Sequence, residues 1–267
     1  MPETNHTERW WRENIRNGTA HIHPEPLPYA LTVLSRLDTS TKPFLAKCSN
    51  GNEYWIKAFG HDTDPWHKRS LVTDQIAGRL GCAMGAPVAR VGLIEITDAF
   101  LHPDVNPELN DLVTGVYHAS ENIKNCYDGQ FHIEAETPAA RSRVATLSLF
   151  YGLLVADDHQ YLYESEPPHL VHSVDHGYFF PGGVSWNCQS LANCAFPALP
   201  DQRIMDECSF SRSELQFAGR GLRDVSDNSI AFAVSCPPPE WGISMDERVA
   251  LAMFLSSRRK AMLRYLL

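Results

Sequence analysis

The order of apolar and polar positions changes character partway along the chain. From Tyr29 onward, short apolar runs dominate: Leu31-Thr32-Val33-Leu34, then Phe44-Leu45-Ala46-Lys47-Cys48, then Glu53-Tyr54-Trp55-Ile56-Lys57-Ala58-Phe59. Such runs predict strands. The turn Ser49-Asn50-Gly51-Asn52 joins the last two as a hairpin, because Asn and Gly both tolerate positive φ. Residues 88–96 and 112–117 read as two further strands. Before both of them Val72, Ile76 and Leu80 recur at helical spacing, which predicts a helix over 70–81 with Gly81 as its stop.

Beyond residue 136 the pattern turns helical. Thr137-Pro138 is an N-cap followed by a first helical position, for a helix running to about residue 154. Ser211 with Glu214, and Ser244 with Glu247, have capping-box spacing and predict helices over 211–221 and 244–266, separated by Pro237-Pro238-Pro239. The expected fold class is therefore α+β, a sheet-rich lobe with one main helix followed by a helical lobe, with a seam near 115–136. The expected organisation is an arm over 1–28, an N-lobe over 29–120 and a C-lobe over 121–267.

Composition narrows the function classes. A chain of 267 residues that is 43% hydrophobic buries a large core, whereas a net charge of -9 argues against general affinity for nucleic acid or anionic membrane. The compact basic run Arg258-Arg259-Lys260 lies in the last predicted helix, where a solvated face is expected. Seven cysteines form no CxxC pair and their number is odd, so neither a zinc site nor a complete disulfide framework is expected. A reducing cytoplasm and a soluble protein follow as expectations, since no stretch resembles a signal peptide or a membrane span. His21-Ile22-His23, in the Pro-rich arm, reads as a surface pair.

Two constellations carry candidate chemistry. Lys57 lies mid-strand on the face of Trp55 and Phe59, and a buried ammonium needs a partner. Asp74 shares a helix face with Leu71, Ala77, Gly78 and Gly81, small residues that let the helix approach the sheet. Taken alone, Lys57 also reads as an edge residue reaching water, and Asp74 as a solvent-facing carboxylate. The second constellation is Asp157-Asp158-His159-Gln160, followed by Tyr161-Leu162-Tyr163, a Pro167-Pro168 turn and Leu170 to Gly177. The apolar runs form a predicted hairpin that brings Asp158 and Asp175 to one opening, with Gly177 permitting a sharp turn. Those carboxylates suit proton acceptance and Mg²⁺ binding, or else simply cap helix and strand ends.

These segments resemble the HipA-like kinase family, in the order the protein-kinase-like fold needs. The run Lys42 to Lys57 is similar to the family's phosphate-loop region leading into its ATP-binding lysine. The run Ser70 to Gly81, with Gly85-Ala86-Pro87-Val88, looks like its regulatory helix, and Val174-Asp175-His176-Gly177 resembles its metal-binding motif. The resemblance spans about residues 30–183. It implies a bilobal kinase-like fold, ATP and Mg²⁺ as ligands, and phosphoryl transfer to Ser or Thr of a protein, or to the chain itself. It further implies that Lys57 holds phosphates, Asp74 pairs with it, Asp158 or the adjacent Asp157 is catalytic within a loop that includes His159, and Asp175 binds metal. An antitoxin-like or regulatory protein partner is compatible with it.

The chain also departs from the family pattern. Asp74 is one methylene shorter than the usual Glu, which predicts a loose or water-bridged pair. Gln160 stands where a metal-binding Asn is usual, in a shortened loop. The phosphate loop at 37–42 has no glycine, so Thr39, Ser40 and Thr41 would supply the cradle through hydroxyls and amides. Two rival readings follow: a catalytically inactive nucleotide-binding pseudokinase, and a metal-dependent hydrolase built on Asp157, Asp158, His159, His172, Asp175 and His176.

Overall fold

A computed structural model describes residues 6–19, 26–60, 64–129 and 135–267. His21 and His23 lie outside the described residues. Strands β1 (Ala30–Arg36), β2 (Phe44–Cys48), β3 (Glu53–Lys57), β4 (Val91–Ile96) and β5 (Gly115–Glu121) form one antiparallel sheet in the order β1-β2-β3-β5-β4. Gly51 turns the β2–β3 hairpin at φ 83, as the Asn-Gly pair predicts.

The pleat divides this sheet into two chemically distinct faces. Tyr54 and Ile56 of β3 join Phe44, Ala46, Ile94 and Tyr117 in a closed apolar core, capped by Phe100 and Leu109. Trp55 and Lys57 point the other way, opposite Ser120 and His118 of β5. That polar face explains a difference from expectation. The strand predicted over 112–117 runs instead to Glu121, because His118 and Ser120 interrupt the apolar signal where the sheet faces a cleft.

Helix α2 (Pro65–Met84) lies against that second face. It starts earlier than its apolar spacing predicts, because Asp64 caps the Trp66 N–H and Pro65 occupies the first turn. It also runs through Gly81: the left-handed stop is Gly85, at φ 70. Gly81 serves close packing instead, since a Cβ there would lie 2.8 Å from a Val88 methyl. Leu71, Val72, Ile76 and Leu80 belong to the large core of the helical lobe, so α2 joins the two halves of the molecule.

The second half contains β6 (Cys126–Asp128), α3 (Pro138–Leu154), β7 (Gln160–Glu164), β8 (Val171–Val174), α4 (Cys188–Ala192), α5 (Gln202–Cys208), α6 (Arg212–Asp224), α7 (Asp227–Ser235) and α8 (Met245–Leu266). Thr137 caps α3 by accepting from the Ala140 N–H, and capping boxes open α6 at Ser211 and α8 at Ser244. Helix α7, opened by a Ser226–Ser229 box, carries no Glu or Gln three residues into the helix and so lacked the expected signature.

Two expectations need correction. The segment read as an arm over 1–28 contains α1 (Glu8–Thr19), which packs on α7 and α8 with Trp11 and Ile15 fully buried. Its charges disguised the narrow i, i+4 apolar stripe. The basic run Arg258-Arg259-Lys260 is not solvated but buried. Arg258 donates to the carbonyls of Gly152 and Leu153 at the end of α3, and Arg259 to the Val225 carbonyl at the end of α6. Arg248 donates to Val234 O at 2.6 Å, at the end of α7. Three arginines of α8 thus satisfy the terminal carbonyls of three helices, where positive charge is favourable. Among the described residues no helix is long and apolar enough to cross a membrane.

Candidate functional site

Lys57 closes β3, and its Nζ lies 2.8 Å from Asp74 Oδ2 and 2.6 Å from Asp175 Oδ1. The pair predicted to be loose or water-bridged is therefore direct. Small residues make it so: a Cβ on Gly78 would collide with Val91, so α2 sits close enough to the sheet for a short carboxylate to reach. Burial alone would lower the Lys57 pKa, but Asp74 and Asp175 outweigh it and hold the ammonium above its ordinary value. Burial likewise disfavours the Asp74 carboxylate, and Lys57 more than offsets this, so its pKa lies below the ordinary value.

The second oxygen of Asp74 accepts the backbone N–H of His176 at 2.7 Å. One carboxylate thus fixes both the strand lysine and the turn that follows β8. In that turn Asp175 itself occupies the left-handed region, at φ 54, a conformation Asp tolerates. Gly177, expected to supply the unusual conformation, supplies room instead: a Cβ there would lie 3.0 Å from Ser70 Cβ and 3.4 Å from Asp74 Oδ2.

A cleft of about 280 Å³ opens over these groups, lined by Trp55, Lys57, Ser120, Gln160, Val174 and Asp175 among others. The β7–β8 pairing sets Gln160 opposite Val174, so both Gln160 and Asp175 line this cleft, whereas Asp158, expected to share the opening with Asp175, does not line it and is linked to it through Gln160. Leu37 and Pro43 form part of the rim. Thr39, Ser40 and Thr41 form a turn beyond it, closed by Lys42 N–H to Thr39 O with Lys42 at φ 42, and none of the three lines the cleft.

The acidic pair divides. Helix α3 is capped after Leu154 by Val155, a β-branched residue at φ 61, a strained position two residues before Asp157. Asp157 is exposed and bound to Arg203, Nη2 to Oδ1 3.1 Å. Asp158 Oδ2 accepts from Gln160 Nε2 at 2.8 Å, which ties it to the cleft. His159 is buried, its Nδ1 3.3 Å from the Tyr161 hydroxyl.

Sequence reasoning missed a buried polar chain behind the site. His176 Nε2 meets Ser173 Oγ at 2.9 Å, and Ser173 Oγ meets the Tyr151 hydroxyl at 2.6 Å. Tyr151 is hydrogen-bonded to Tyr161, which reaches His159. The chain therefore connects the residue after Asp175 with the residue after Asp158 through an apolar core. The polar letters Ser173 and Tyr151 within apolar runs were the only signal. His118, opposite Lys57, was missed as well. Burial pushes both His118 and His176 down to about 4, so both are neutral at physiological pH.

The rival metal-hydrolase constellation does not assemble. His172 binds Glu164 and Arg143, His176 binds Ser173, and Asp157 binds Arg203. Among the described residues no three His, Cys, Asp or Glu side chains gather to hold a metal. Mg²⁺ makes no such demand, because it is commonly held by one or two protein oxygens with phosphates and waters. Asp175 and Gln160, adjacent in the cleft, fit that lighter requirement.

Comparison with known proteins agrees with the architecture. Among solved structures, the Helicobacter pylori proinflammatory kinase CtkA is similar over 90% of this chain and 97% of its own, with a TM-score of 0.57 at 12% identity. The Golgi casein kinase with Mn/ADP bound is similar over 98% of this chain and 83% of its own, at TM-score 0.47 and 11% identity. HipA of Shewanella oneidensis MR-1, from a complex with HipB and operator DNA, covers 100% of this chain over 74% of its own, at TM-score 0.38 and 14% identity. No curated protein matches significantly in sequence. A family model, the HipA-like kinase, matches residues 32–152, a span that holds Lys57 and Asp74 and stops short of Asp158 and Asp175. The chain thus carries a match to the HipA-like kinase family over residues 32–152, on a fold similar to that of protein kinases.

Proposed function

We propose that this protein is an ATP- and Mg²⁺-dependent phosphotransferase of HipA-like type, acting on a Ser or Thr hydroxyl of a protein or of itself. The observation that carries the reading is the Lys57 ammonium held between Asp74 and Asp175 in the cleft. A cation fixed there meets triphosphate oxygens, as a strand lysine with a helix carboxylate does in kinases.

The roles follow from the contacts. Lys57 holds phosphate oxygens, and Asp74 positions it while anchoring the Asp175 turn through the His176 N–H. Asp175 and Gln160 are the residues that would hold Mg²⁺, which supplies charge neutralisation on the phosphates when bound. The Gln160 amide donates its N–H to Asp158, which leaves its oxygen available for a cation. Asp158, rather than Asp157, accepts or orients the acceptor hydroxyl proton, because Asp157 is committed to Arg203. A nucleotide binder without transfer is the second reading, favoured by the position of Thr39, Ser40 and Thr41 outside the cleft.

The test is label transfer from γ-labelled ATP, by the purified chain alone and in a cell lysate. Asp158→Asn and Asp175→Asn each lower transfer by about a hundredfold or more, and Asp157→Asn lowers it far less. Transfer at the wild-type rate in both of the first two variants defeats the assignment. Stabilisation by ATP without any transfer makes the chain the non-catalytic binder.

A further inference from the structure

A cavity of about 590 Å³ opens between α2, the start of β4 and α7, and shares no lining residue with the nucleotide cleft. Its lining sets the apolar surface of Val91 and Phe232 beside two cations, Arg79 of α2 and Arg90 just before β4. Phe232 is 43% exposed, and the Arg79 guanidinium lies 5.5 Å from its ring centroid. No carboxylate lines this space, and among the described residues neither Arg79 nor Arg90 forms an ion pair. Arg69, Arg141 and Arg203, by contrast, each hold a carboxylate. Glu121, whose field reaches Cys82 in the cavity wall together with those of Arg79 and Arg90, lines the nucleotide cleft instead. Two uncompensated guanidinium groups next to exposed apolar surface are complementary to carboxylates carried beside apolar side chains.

A buried amide joins this cavity to the lysine on the other side of the sheet. The Gln75 side-chain oxygen accepts from Arg79 Nε and Nη2, each at 2.9 Å, and its N–H donates to His118 Nδ1 at 2.9 Å and to Gly92 O at 3.1 Å. This amide orientation gives every one of those groups a partner. Gln75 is fully buried and His118 nearly so. His118 stands opposite Lys57 in the β3–β5 pairing, and the two line one small space with Asp74 and Asp175. Arg79 therefore connects the cavity to the surroundings of Lys57 through two side chains that cannot move independently of it.

We infer that this cavity docks an acidic segment of a partner protein, an aliphatic or aromatic side chain flanked by Asp or Glu, and that docking is felt at Lys57 through Arg79, Gln75 and His118. The carboxylates pair with Arg79 and Arg90 while the apolar side chain covers Val91 and Phe232; a bare inorganic anion leaves that apolar surface in water. The net charge of -9 repels an acidic partner at long range, so recognition depends on these short-range pairs. Docking itself is independent of the phosphotransfer reading, whereas its effect on nucleotide rests on the role given to Lys57 above.

The experiment uses the full chain and three fluorescein-labelled peptides with Leu-Phe at the centre, flanked on both sides by Glu, Gln or Lys. Fluorescence anisotropy at about 0.15 M salt reads binding. The Glu-flanked peptide binds about tenfold more tightly than the Gln-flanked one, and the Lys-flanked one more weakly still. Arg90→Glu removes that preference without changing the melting temperature of the free protein, because the Arg90 side chain has no partner to lose. Saturating ATP and Mg²⁺ tightens the Glu-flanked peptide about fivefold in wild type. Equal binding of the three peptides, a preference that survives Arg90→Glu, or displacement of the peptide by millimolar inorganic phosphate overturns the docking site. Docking that ATP leaves unchanged, in a protein whose melt ATP does raise, overturns the connection to Lys57. Docking in a protein whose melt ATP does not raise overturns the nucleotide reading and leaves the docking site standing.

Discussion

Asp74 reaches the Lys57 ammonium directly, Oδ2 to Nζ 2.8 Å, although its side chain is one methylene shorter than the glutamate usual on a kinase helix. The missing length is recovered by the backbone. Gly78 admits Val91 of β4 against α2, and Gly177 admits Ser70 from the other side. The short acid and the close helix are one adaptation.

Asp74→Asn leaves a buried ammonium with one carboxylate and destabilises the protein by about 3–5 kcal/mol. Asp74→Glu does not restore the family arrangement, because the gap is sized for Asp; its extra methylene costs about 1–3 kcal/mol. Urea denaturation of both variants checks this, and an Asp74→Glu protein more stable than wild type contradicts it.

Gly177→Ala tests the same fit from the opposite wall. The added Cβ would lie 3.0 Å from Ser70 Cβ, so α2 or the Asp175 turn must shift. The expected loss is about 1–2 kcal/mol, accompanied by weaker stabilisation by ATP and Mg²⁺. Thermal melts with and without nucleotide read both.

Much of this arrangement was legible from residue order. The Asn50-Gly51 hairpin places Lys57, and the runs after Gln160 form the hairpin whose register sets Gln160 against Val174. What stayed hidden depended on contacts distant in sequence. Trp11 and Ile15 are two apolar letters among charges, and only α7 and α8 reveal them as a buried face. Arg258 and Arg259 read as solvated because nothing near them in the chain announces the helix ends they cap. Gly81 and Gly177 read as conformational devices, whereas their use is close approach to Val88 and Ser70. His118 and Ser120 concealed the end of β5 because a polar cleft face breaks the apolar signal of a strand.

Arg258→Met removes the donors that satisfy Gly152 O, Leu153 O, Phe196 O and Pro197 O, and strands buried carbonyls at the end of α3. The expected cost is on the order of 3 kcal/mol. Arg258→Lys recovers little, since an ammonium cannot span four carbonyls in a plane. Equal stability of the Met variant and wild type by urea denaturation contradicts the capping role.

Stability depends on pH through His118 and His176. Burial holds both at about 4 in the folded protein, against an ordinary value of 6.5. Their folded values are depressed, so the unfolded chain takes up more protons as pH falls from about 6.5 to about 4, and stability declines through that window. Asp74, depressed below 3.8, adds its own loss only at lower pH. Urea midpoints across pH check this: His118→Gln flattens the decline above about pH 4, and a wild-type midpoint constant across that window contradicts it.

The most direct test of the nucleotide cleft is the melting temperature with and without ATP and Mg²⁺ in wild-type protein and in Lys57→Ala. At saturating ligand the wild-type melt rises on the order of 5 °C, and the rise largely disappears in Lys57→Ala. An equal rise in both proteins, or none in wild type, contradicts the placement of nucleotide phosphates at Lys57.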